Sequence, residues 1–421
     1  MKEKLLINKV YQFLLVLLAF LLPLTVFGAN LIIVIIVALW LVSGNYKSKY
    51  DQIISSRFLI ACVVFYCLHV VGLIWTEDLK WGLKILHKMW YFILLLPVLF
   101  TIVEKKYIKY YISSFLLAIS FTEIISYLIW FEIIEPFKIV RIPDTLSLMI
   151  RRDGPVPLMV NNPTPFMSHV SYNPILAFAI YLVSHEVFLN KNLSKFKFFL
   201  FSFFAITMSI NMFITGGRAG QVIFFVMLTI LIFQFFNAEK IKSLIVVLIL
   251  IPGIFFTAYQ TSDLFQLRVD SAISDVLVYE SNNNTSVGKR ISYMKNSWDI
   301  IKQNPWIGVG TGDFPIEFEK ISIINNNKDF LSTNLPTNPH NMYNFVLIQL
   351  GLVGLLSFLS IFYYQIKQSF VSSNRLIRDV GLTLPLLFLV VMLSDSYLLG
   401  HYTSLMFVFF SAFLYKDFEK N

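Results

Sequence analysis

Charged residues are scarce in this sequence. Asp, Glu, Lys and Arg make up 14% of the 421 residues, whereas a soluble globular domain carries about 25%. Hydrophobic residues make up 57%, and Phe alone occurs 42 times. One globular core cannot bury that much apolar surface, but lipid accepts it without cost. The scarcity of charge therefore excludes an ordinary soluble domain and indicates a membrane protein.

Cysteine and the common cofactor motifs are also scarce or missing. The two cysteines, Cys62 and Cys67, lie in one apolar run without metal-ligand spacing, which excludes a disulfide framework. The sequence contains no phosphate-binding Walker loop, no dinucleotide-binding fingerprint and no repeat of 20–50 residues. We therefore expect neither a metal nor a cofactor. No isolated carboxylate pair is present either, which favours chemistry on a substrate that already has a good leaving group.

Long apolar runs make up most of the sequence. About twelve are long enough, or nearly so, to cross a bilayer, which needs about 20 residues per helix. They predict an all-α polytopic membrane protein with a single membrane domain over 1–421. A count of eleven stays open because three runs are short, and we expect the first run to be a span rather than a cleaved signal. The runs are Tyr11–Gly28, Asn30–Ser43, Phe58–Trp75, Leu83–Val103, Tyr110–Trp130, Val170–Phe188, Phe198–Ile214, Gln221–Phe236, Ser243–Tyr259, Tyr343–Tyr364, Val380–Leu393 and Tyr402–Tyr415.

Lysine and arginine are distributed unevenly among the loops between these runs. If the N-terminus is cytoplasmic, the short loops on the opposite side carry only Lys80 and Arg218. This asymmetry is typical of the positive-inside pattern and predicts that both termini are cytoplasmic. It also explains the net charge of +9 by membrane topology rather than by nucleic-acid binding. The segments predicted to be cytoplasmic hold Lys2, Lys4, Lys9, Lys47, Lys49, Arg57, Lys105, Lys106, Lys109, Lys191, Lys195, Lys197, Lys240, Lys242, Lys367, Arg375, Arg378, Lys416 and Lys420.

Two long segments face the non-cytoplasmic side in this topology. The first is 131–169, and the second is 260–342, between the ninth and tenth spans. Loops longer than about 15 residues are usually functional or disordered. Apolar residues in the second recur at helical spacing: Ile291, Met294, Trp298 and Ile301. We expect a helix over Arg290–Asn304, ended by Pro305 and packed on the membrane surface or on the helical bundle.

The segment Thr215–Gly220, with the sequence TGGRAG, lies at an external mouth between two spans. The guanidinium of Arg218 offers a fixed fork of donors that matches phosphate oxygens, and glycines let an anion approach the backbone closely. The alternative is that Arg218 anchors the helix end by reaching lipid phosphates. The pattern marks Arg218 as a candidate for binding a phosphorylated substrate.

Basic residues also open the predicted loop helix, at Lys289 and Arg290 in the sequence SVGKR. The N-terminus of a helix favours an anion, so two cationic positions on one side of the membrane suit a diphosphate. Plain solvation of both residues is the alternative. Farther along, Ile307–Phe314 alternates glycines and includes Gly310 and Asp313. This segment is either a phosphate-cradling nest or a plain turn.

A histidine stands at the external end of the tenth span, in the sequence PHNMY. The imidazole of His340 takes up a proton near neutral pH, as general base catalysis requires. The alternative is a hydrogen-bonded structural histidine at the interface. In the same span, Gly351 and Gly354 lie one turn apart and would let another helix approach closely. His169 and His401, the latter with Asp395 nearby, would be supporting or structural.

These motifs resemble those of the O-antigen ligase family of bacterial inner membranes, whose superfamily also includes O-antigen polymerases. The resemblance rests on four motifs in order over Asn211–Phe358: TGGR, SVGKR, NPWIGVGTGDF, and PHNMY followed by GLVG. One departure is Gly217, where the family often has a polar residue before the arginine. The resemblance implies a GT-C-like helical architecture with a periplasmic active site.

What the resemblance implies for function is concrete. Such enzymes move a glycan from undecaprenyl diphosphate to lipid A–core without a nucleotide and, as generally described, without a metal. By position, Arg218 and Arg290 would bind the diphosphate, and His340 would activate or orient the acceptor hydroxyl. A direct displacement would invert the anomeric centre. Supporting roles would fall to Lys289, Asn341, Tyr343, Gly310, Asp313 and His169.

Other functions remain open at this point. An O-antigen polymerase would use another lipid-linked glycan as acceptor, and a protein O-oligosaccharyltransferase would use a protein; the motifs separate these poorly. The single dominant external loop favours the ligase. A lipid-linked glycan transporter would have polar residues inside its spans and often repeated halves, and the sequence shows few such residues and no repeat. The sequence does not decide the oligomeric state.

Overall fold

Apolar runs separated by short polar turns fold into helices along the chain. The computed structural model describes residues 2–134, 162–325 and 335–418, and these ranges contain helices and no strand. Backbone polar groups in lipid must be bonded internally, which a helix achieves within one segment. The predicted all-α polytopic membrane fold is confirmed. The helices are α1 (Lys2–Leu21), α2 (Val26–Val42), α3 (Tyr46–Ser55), α4 (Arg57–Val71), α5 (Leu79–Trp90), α6 (Leu96–Ile102), α7 (Ile108–Trp130), α8 (His169–Leu189), α9 (Lys195–Ile214), α10 (Arg218–Phe236), α11 (Lys240–Thr261), α12 (Asp263–Leu277), α13 (Ser286–Gln303), α14 (Phe314–Ile324), α15 (Met342–Val371), α16 (Arg375–Val391) and α17 (His401–Leu414).

Every predicted apolar run falls on one or two of these helices, but fewer than twelve helical segments in the described ranges pass a strict test for spanning. In the described ranges, eight helical segments are long and apolar enough to cross a bilayer, or nine if α2 and α3 form one broken span. The helices α16 and α17 are shorter, with 17 and 14 residues, and the apolar part of α1 is Leu6–Leu21. The eight are Arg57–Trp75, Leu79–Ile102, Lys105–Trp130, His169–Leu189, Lys195–Ile214, Arg218–Phe236, Lys240–Thr261 and Met342–Val371.

The first predicted run, Tyr11–Gly28, is divided between two helices. Helix α1 ends at Leu21, and Pro23 lies in the turn that follows, because proline lacks an N–H and disfavours helix at the residue before it. Thr25 then caps α2, with its Oγ1 accepting the N–H of Gly28 at 3.2 Å. Hydropathy alone gave no signal of this break.

The chain divides into two compact units, which are described separately. The first comprises 1–44 and 102–269. In it α8 packs against α9 and α10, α1 packs against α2 and α7, and α10 packs against α11. Of the predicted long segment 131–169, residues 135–161 lie outside the described residues.

The second unit comprises 45–101 and 270–421. In it α15 packs against α4 and α16, and α16 packs against α17. Helices α13 and α14 pack against each other and against α15. A shared hydrophobic core holds these three helices together, formed by Ile300, Ile301, Phe314, Phe318, Ile321 and Ile348.

Helix α13 confirms the predicted loop helix and its end before Pro305. Of the four apolar residues at helical spacing, Ile301 is buried in the protein, whereas Met294 and Trp298 are each 56% exposed. The buried face also includes Ser292, Ser297 and Asn296. The side-chain amide of Asn296 donates to the hydroxyl of Ser322 in α14 at 3.1 Å, so polar pairing fixes the orientation of the helix.

Helix α15 is interrupted at Gly351, whose φ is 59°. Here the segment 305–310 supplies the hydrogen bonds that the helix lacks. The N–H groups of Val309 and Gly310 donate to the carbonyls of Ile348 and Gln349, and the N–H groups of Leu352 and Val353 donate to the carbonyls of Pro305 and Trp306. A Cβ at Gly351 would lie 2.3 Å from the carbonyl carbon of Trp306. The close approach predicted at this glycine is therefore made by the turn segment 305–310 rather than by a helix.

Candidate functional site

His340 lies just before α15, where hydrogen bonds fix an unusual backbone conformation. Its φ is 50°, in the left-handed region that few residues other than glycine adopt. The side-chain oxygen of Asn338 accepts the N–H of His340 at 2.8 Å. The next residue, Asn341, caps α15 by accepting the N–H groups of Tyr343 and Asn344 at 2.9 and 3.1 Å. Strained backbone held in this way is concentrated at functional sites.

The supporting candidates Asn341 and Tyr343 join this segment to the end of α16. The Nδ2 of Asn341 donates to the carbonyl of Leu393 at 3.2 Å, and the hydroxyl of Tyr343 donates to the carbonyl of Leu389 at 2.6 Å. These two bonds fix the segment after His340 against the end of α16.

The imidazole of His340 meets a carboxylate and an aromatic ring. Its Nδ1 lies 3.2 Å from Oδ1 of Asp395, a contact that becomes an ion pair when the imidazole is protonated. The ring of Tyr293 stacks on the imidazole, with centroids 5.7 Å apart and planes inclined by 15°. The His340 side chain remains 37% exposed. The imidazole is therefore oriented on two sides and open to a substrate on another.

The surroundings of Asp395 keep its carboxylate ionised. Burial opposes the charge, but the contact with the His340 imidazole, the N–H of Ser396 and the charge of Arg290 outweigh it, so the pKa of Asp395 lies below its usual value. The Ser396 N–H donates to Oδ1 at 2.7 Å. A carboxylate that stays charged orients an imidazole and stabilises the imidazolium formed on proton uptake. The sequence placed Asp395 only near His401, and nothing in it signalled the pairing with His340.

Arg290 acts on this carboxylate from α13, the helix that it was predicted to open. Thr285 caps α13, with its Oγ1 accepting the N–H of Gly288 at 3.0 Å. Lys289 and Arg290 are both exposed in the first turns, where the helix dipole adds positive potential. Two cations are thus accessible at this helix start, and one of them is within electrostatic range of the His340–Asp395 pair.

The glycine-rich segment after Ile307 is occupied by protein contacts. Besides the two N–H groups donated into the break of α15, the N–H of Thr311 donates to the carbonyl of Gly72 at 3.1 Å, and that of Gly312 donates to Oε1 of Gln349 at 2.7 Å. No N–H group from Gly308 to Gly312 is left to cradle a phosphate. The structure adopts the turn alternative, and the supporting candidate Gly310 belongs to that turn.

Asp313 anchors the same turn. Its carboxylate accepts the hydroxyl of Thr76 and the N–H groups of Glu77 and Asp78, the latter two at 2.9 Å. The residue is 1% exposed, so its contacts hold the turn against the segment that precedes α5. We assign it a structural role.

Replacement of Asp313 by alanine is expected to lower the free energy of unfolding by about 3 kcal/mol, because an orphaned N–H costs about 1–3 kcal/mol. Asp299→Ala is the control, since Asp299 makes only an exposed pair with Lys302 at 3.3 Å and should cost less than about 1 kcal/mol. Thermal unfolding of the purified variants in detergent measures both. Equal melting temperatures for the two variants would contradict the structural role.

In the first unit, the TGGR turn packs closely on α8. The hydroxyl of Thr215 donates to Oδ1 of Asn173 at 2.9 Å, and Nε2 of Gln221 donates to the carbonyl of Thr215 at 3.0 Å. A Cβ at Gly217 would lie 2.7 Å from the side chain of Asn173, and one at Gly220 would lie 2.2 Å from its Cβ. These two glycines therefore serve the packing of α10 on α8 rather than the approach of a phosphate.

Arg218 begins α10 beside two residues of the first unit that hold the turn. Nδ2 of Asn162 and Nδ1 of His169 are 2.8 Å apart, and Oδ1 of Asn162 accepts the N–H of Gly216 at 2.9 Å. His169 lies within electrostatic range of both Arg218 and Arg268. The structure thus brings the candidates His169 and Arg218 together and adds Arg268, which belongs to no motif that the sequence offered.

Among the described residues, no group of three or more His, Cys, Asp or Glu side chains is close enough to hold a metal ion. Both cysteines are free, Cys62 buried and Cys67 exposed. The described groups that can carry chemistry are the His340 imidazole in the second unit and the cationic side chains within each unit.

The fold and these residues define a class: a polytopic all-α membrane protein whose distinctive polar groups lie at helix ends and in the segments between them. A family model for O-Antigen ligases matches residues 203–359, a range that holds Arg218, Arg290 and His340. Over this part of the chain the match confirms the resemblance to the O-antigen ligase family that the motifs indicated.

A curated relative gives a second comparison. An uncharacterized protein of Haemophilus influenzae (strain ATCC 51907 / DSM 11121 / KW20 / Rd) is 31% identical over 212 residues, which make up 47% of this chain and 50% of the relative. The chain therefore spans about half the length of the curated relative it matches.

Proposed function

We propose that the protein is an O-antigen ligase of the bacterial inner membrane. In this proposal it transfers a glycan from undecaprenyl diphosphate to lipid A–core on the periplasmic side. The observation that carries the proposal is the His340–Asp395 pair, 3.2 Å apart, with His340 inside the segment that matches the family.

The pair supplies what an acceptor hydroxyl needs in order to react. The hydroxyl loses its proton to the imidazole of His340, and its oxygen forms a bond to the anomeric carbon of the glycan. The bond from that carbon to the diphosphate breaks, and undecaprenyl diphosphate leaves with the electron pair. General base catalysis of this kind contributes about 10²–10⁴-fold. Direct displacement inverts the anomeric centre, and a retained configuration in the product would count against it.

Cationic side chains would stabilise the charge that develops on the departing diphosphate. Arg290 is exposed at the start of α13 in the second unit, and Arg218 begins α10 in the first. We propose both Arg290 and Arg218 as diphosphate-binding residues, each because of its own position at a helix start and its positive charge. Lys289 adds a further exposed cation beside Arg290.

The topology of the proposal rests on the distribution of Lys and Arg. Nearly all of these residues in short loops fall on one side, which supports cytoplasmic termini and a periplasmic His340. Lipid-linked glycans and lipid A–core would meet the enzyme there. Accessibility labelling of single cysteines introduced at Asn338 and at Lys47, after replacement of Cys62 and Cys67, tests this orientation.

A reconstituted transfer assay tests the proposed activity. It combines purified protein, undecaprenyl-diphosphate-linked glycan and lipid A–core in liposomes, and glycan transferred to lipid A–core is the expected product. Elongation of the lipid-linked glycan without transfer to lipid A–core would identify a polymerase instead. Absence of any transfer by folded protein would overturn the proposal in favour of a transporter.

Arg218→Ala is expected to reduce transfer about a hundredfold, since removing one donor to a developing charge costs about 10²–10³ in rate. Arg57→Ala is the matched control, because Arg57 is an exposed arginine that likewise begins a helix, α4. Anchoring to lipid phosphates would affect both variants alike. Equal rates for the two would show that Arg218 is only such an anchor.

A further inference from the structure

Arg268 lies in α12, in the part of that helix that belongs to the first unit, and has no hydrogen-bond or ion-pair partner among the described residues. Its Nε is closed to solvent and makes no hydrogen bond with any described residue, and no ion pair joins it to a described carboxylate. Arginine carries five N–H donors and no acceptor, and a buried donor without an acceptor is costly. Such a group calls for an anion that no described residue provides.

The side chain of Arg268 lies over the backbone of the TGGR turn. A Cβ placed on Gly216 would be 3.2 Å from Nη2 and 3.4 Å from Nε of Arg268. Gly216 therefore leaves the space that the guanidinium occupies, which explains why this first glycine of the motif faces Arg268 while the others face α8. The turn thus presents two arginines, since Arg218 follows two residues later.

Positive charge is concentrated around this turn. Both Arg268 and Arg218 act electrostatically on the His169 imidazole, and such a concentration of positive charge attracts an anion. A diphosphate has the charge and the oxygens to satisfy two such forks, each matched to phosphate geometry.

We propose that Arg268 and Arg218 together form the diphosphate-binding site of the first unit, with Asn162 and His169 holding the turn in place. The identification of the anion as the diphosphate of a lipid-linked glycan rests on the proposed function. The site itself rests on the unpartnered guanidinium over Gly216, which the family motifs do not mark.

Binding of undecaprenyl diphosphate that carries no glycan tests the site apart from transfer. Native mass spectrometry of the purified full chain would measure its affinity, with undecaprenol as the lipid without phosphate. Arg268→Ala should lower the affinity for the diphosphate lipid at least about tenfold, the loss expected for a charge-assisted hydrogen bond. The affinity for undecaprenol should not change. Arg268→Gln, which keeps a long polar side chain, should show the same loss if the alanine variant fails to fold.

Gln266→Ala is the matched control, since Gln266 is an exposed residue of the same helix. Wild-type affinity in folded Arg268→Ala or Arg268→Gln would overturn the site, as would equal losses for both lipids. Wild-type protein that binds the diphosphate lipid through Arg268 but transfers no glycan would support the site and remove the proposed function instead.

Discussion

His340→Ala should reduce glycan transfer about a thousandfold while leaving the folded protein intact. The imidazole is the group oriented toward an open side, by Asp395 at 3.2 Å and by the stacked ring of Tyr293, and loss of a general base costs about 10²–10⁴-fold. His340→Asn is the second variant, because asparagine tolerates the left-handed backbone found here and cannot serve as the base. Both are measured as kcat in the reconstituted transfer assay.

Replacement of Asp395, the carboxylate beside His340, should reduce kcat less than replacement of His340. Asp395→Asn keeps the volume of the side chain but removes the negative charge, so we expect kcat to fall about tenfold to a hundredfold with an unchanged KM for the lipid-linked donor. Because the pKa of Asp395 lies below its usual value, wild-type protein keeps this charge at any pH from about 5 upwards, and the difference should persist across that range.

His87→Ala is the control for both positions, since His87 is an exposed histidine in α5. It should transfer at the wild-type rate. Transfer by folded His340→Ala at a rate close to that of His87→Ala would show that His340 is a structural residue, and the assignment of the general base would be withdrawn.

Gly308→Ala is expected to weaken folding severely or prevent it, with a loss in the free energy of unfolding of about 2–5 kcal/mol or more. Gly308 has a φ of 70°, and the added Cβ would lie 2.3 Å from the carbonyl carbon of Gln349 and 2.4 Å from the nitrogen of Leu350. These are backbone atoms and cannot move aside separately. The backbone conformation costs about 1–2 kcal/mol, and the overlap costs about 1–3 kcal/mol or more.

Gly44→Ala separates these two contributions. Gly44 has nearly the same φ, 65°, but nothing lies within 4 Å of the added Cβ, so its replacement should cost only about 1–2 kcal/mol. Recovery of monodisperse protein in detergent and the midpoint of thermal unfolding compare the two variants. If both behave alike, backbone strain rather than close contact is what Gly308 relieves.

Helices were predictable because their signals are local. Apolar runs and a 3.6-residue period depend on neighbours in sequence. Every predicted apolar run and the predicted loop helix, α13, therefore fall on helices in the structure. The polar part of the buried face of α13 was not predicted, because Asn296 pairs there with Ser322 of α14, which is distant in the sequence. Likewise Pro23 ends α1 within a run that hydropathy treats as continuous.

The candidate site divides in the same way. Arg218, Arg290 and His340 carry motif signals, and their positions at helix ends agree with the sequence. The residues that act together with them come from elsewhere in the chain: Asp395 from the turn after α16, and Arg268 from α12. No pattern within a motif reveals such pairings. The glycines predicted room for a phosphate, and the structure fills that room with protein. The sequence does not distinguish a glycine that leaves space for a ligand from one that leaves space for another part of the chain.

The break in α15 makes one membrane-crossing helix depend on a segment from another part of the chain. Four backbone groups at the break, on Ile348, Gln349, Leu352 and Val353, are bonded by the segment 305–310. Without that segment these groups would face a medium in which each unsatisfied group costs several kcal/mol. The two parts must therefore assemble as one cooperative unit, and opening of the segment 305–310 would appear in hydrogen exchange as simultaneous loss of protection at Leu352 and Val353.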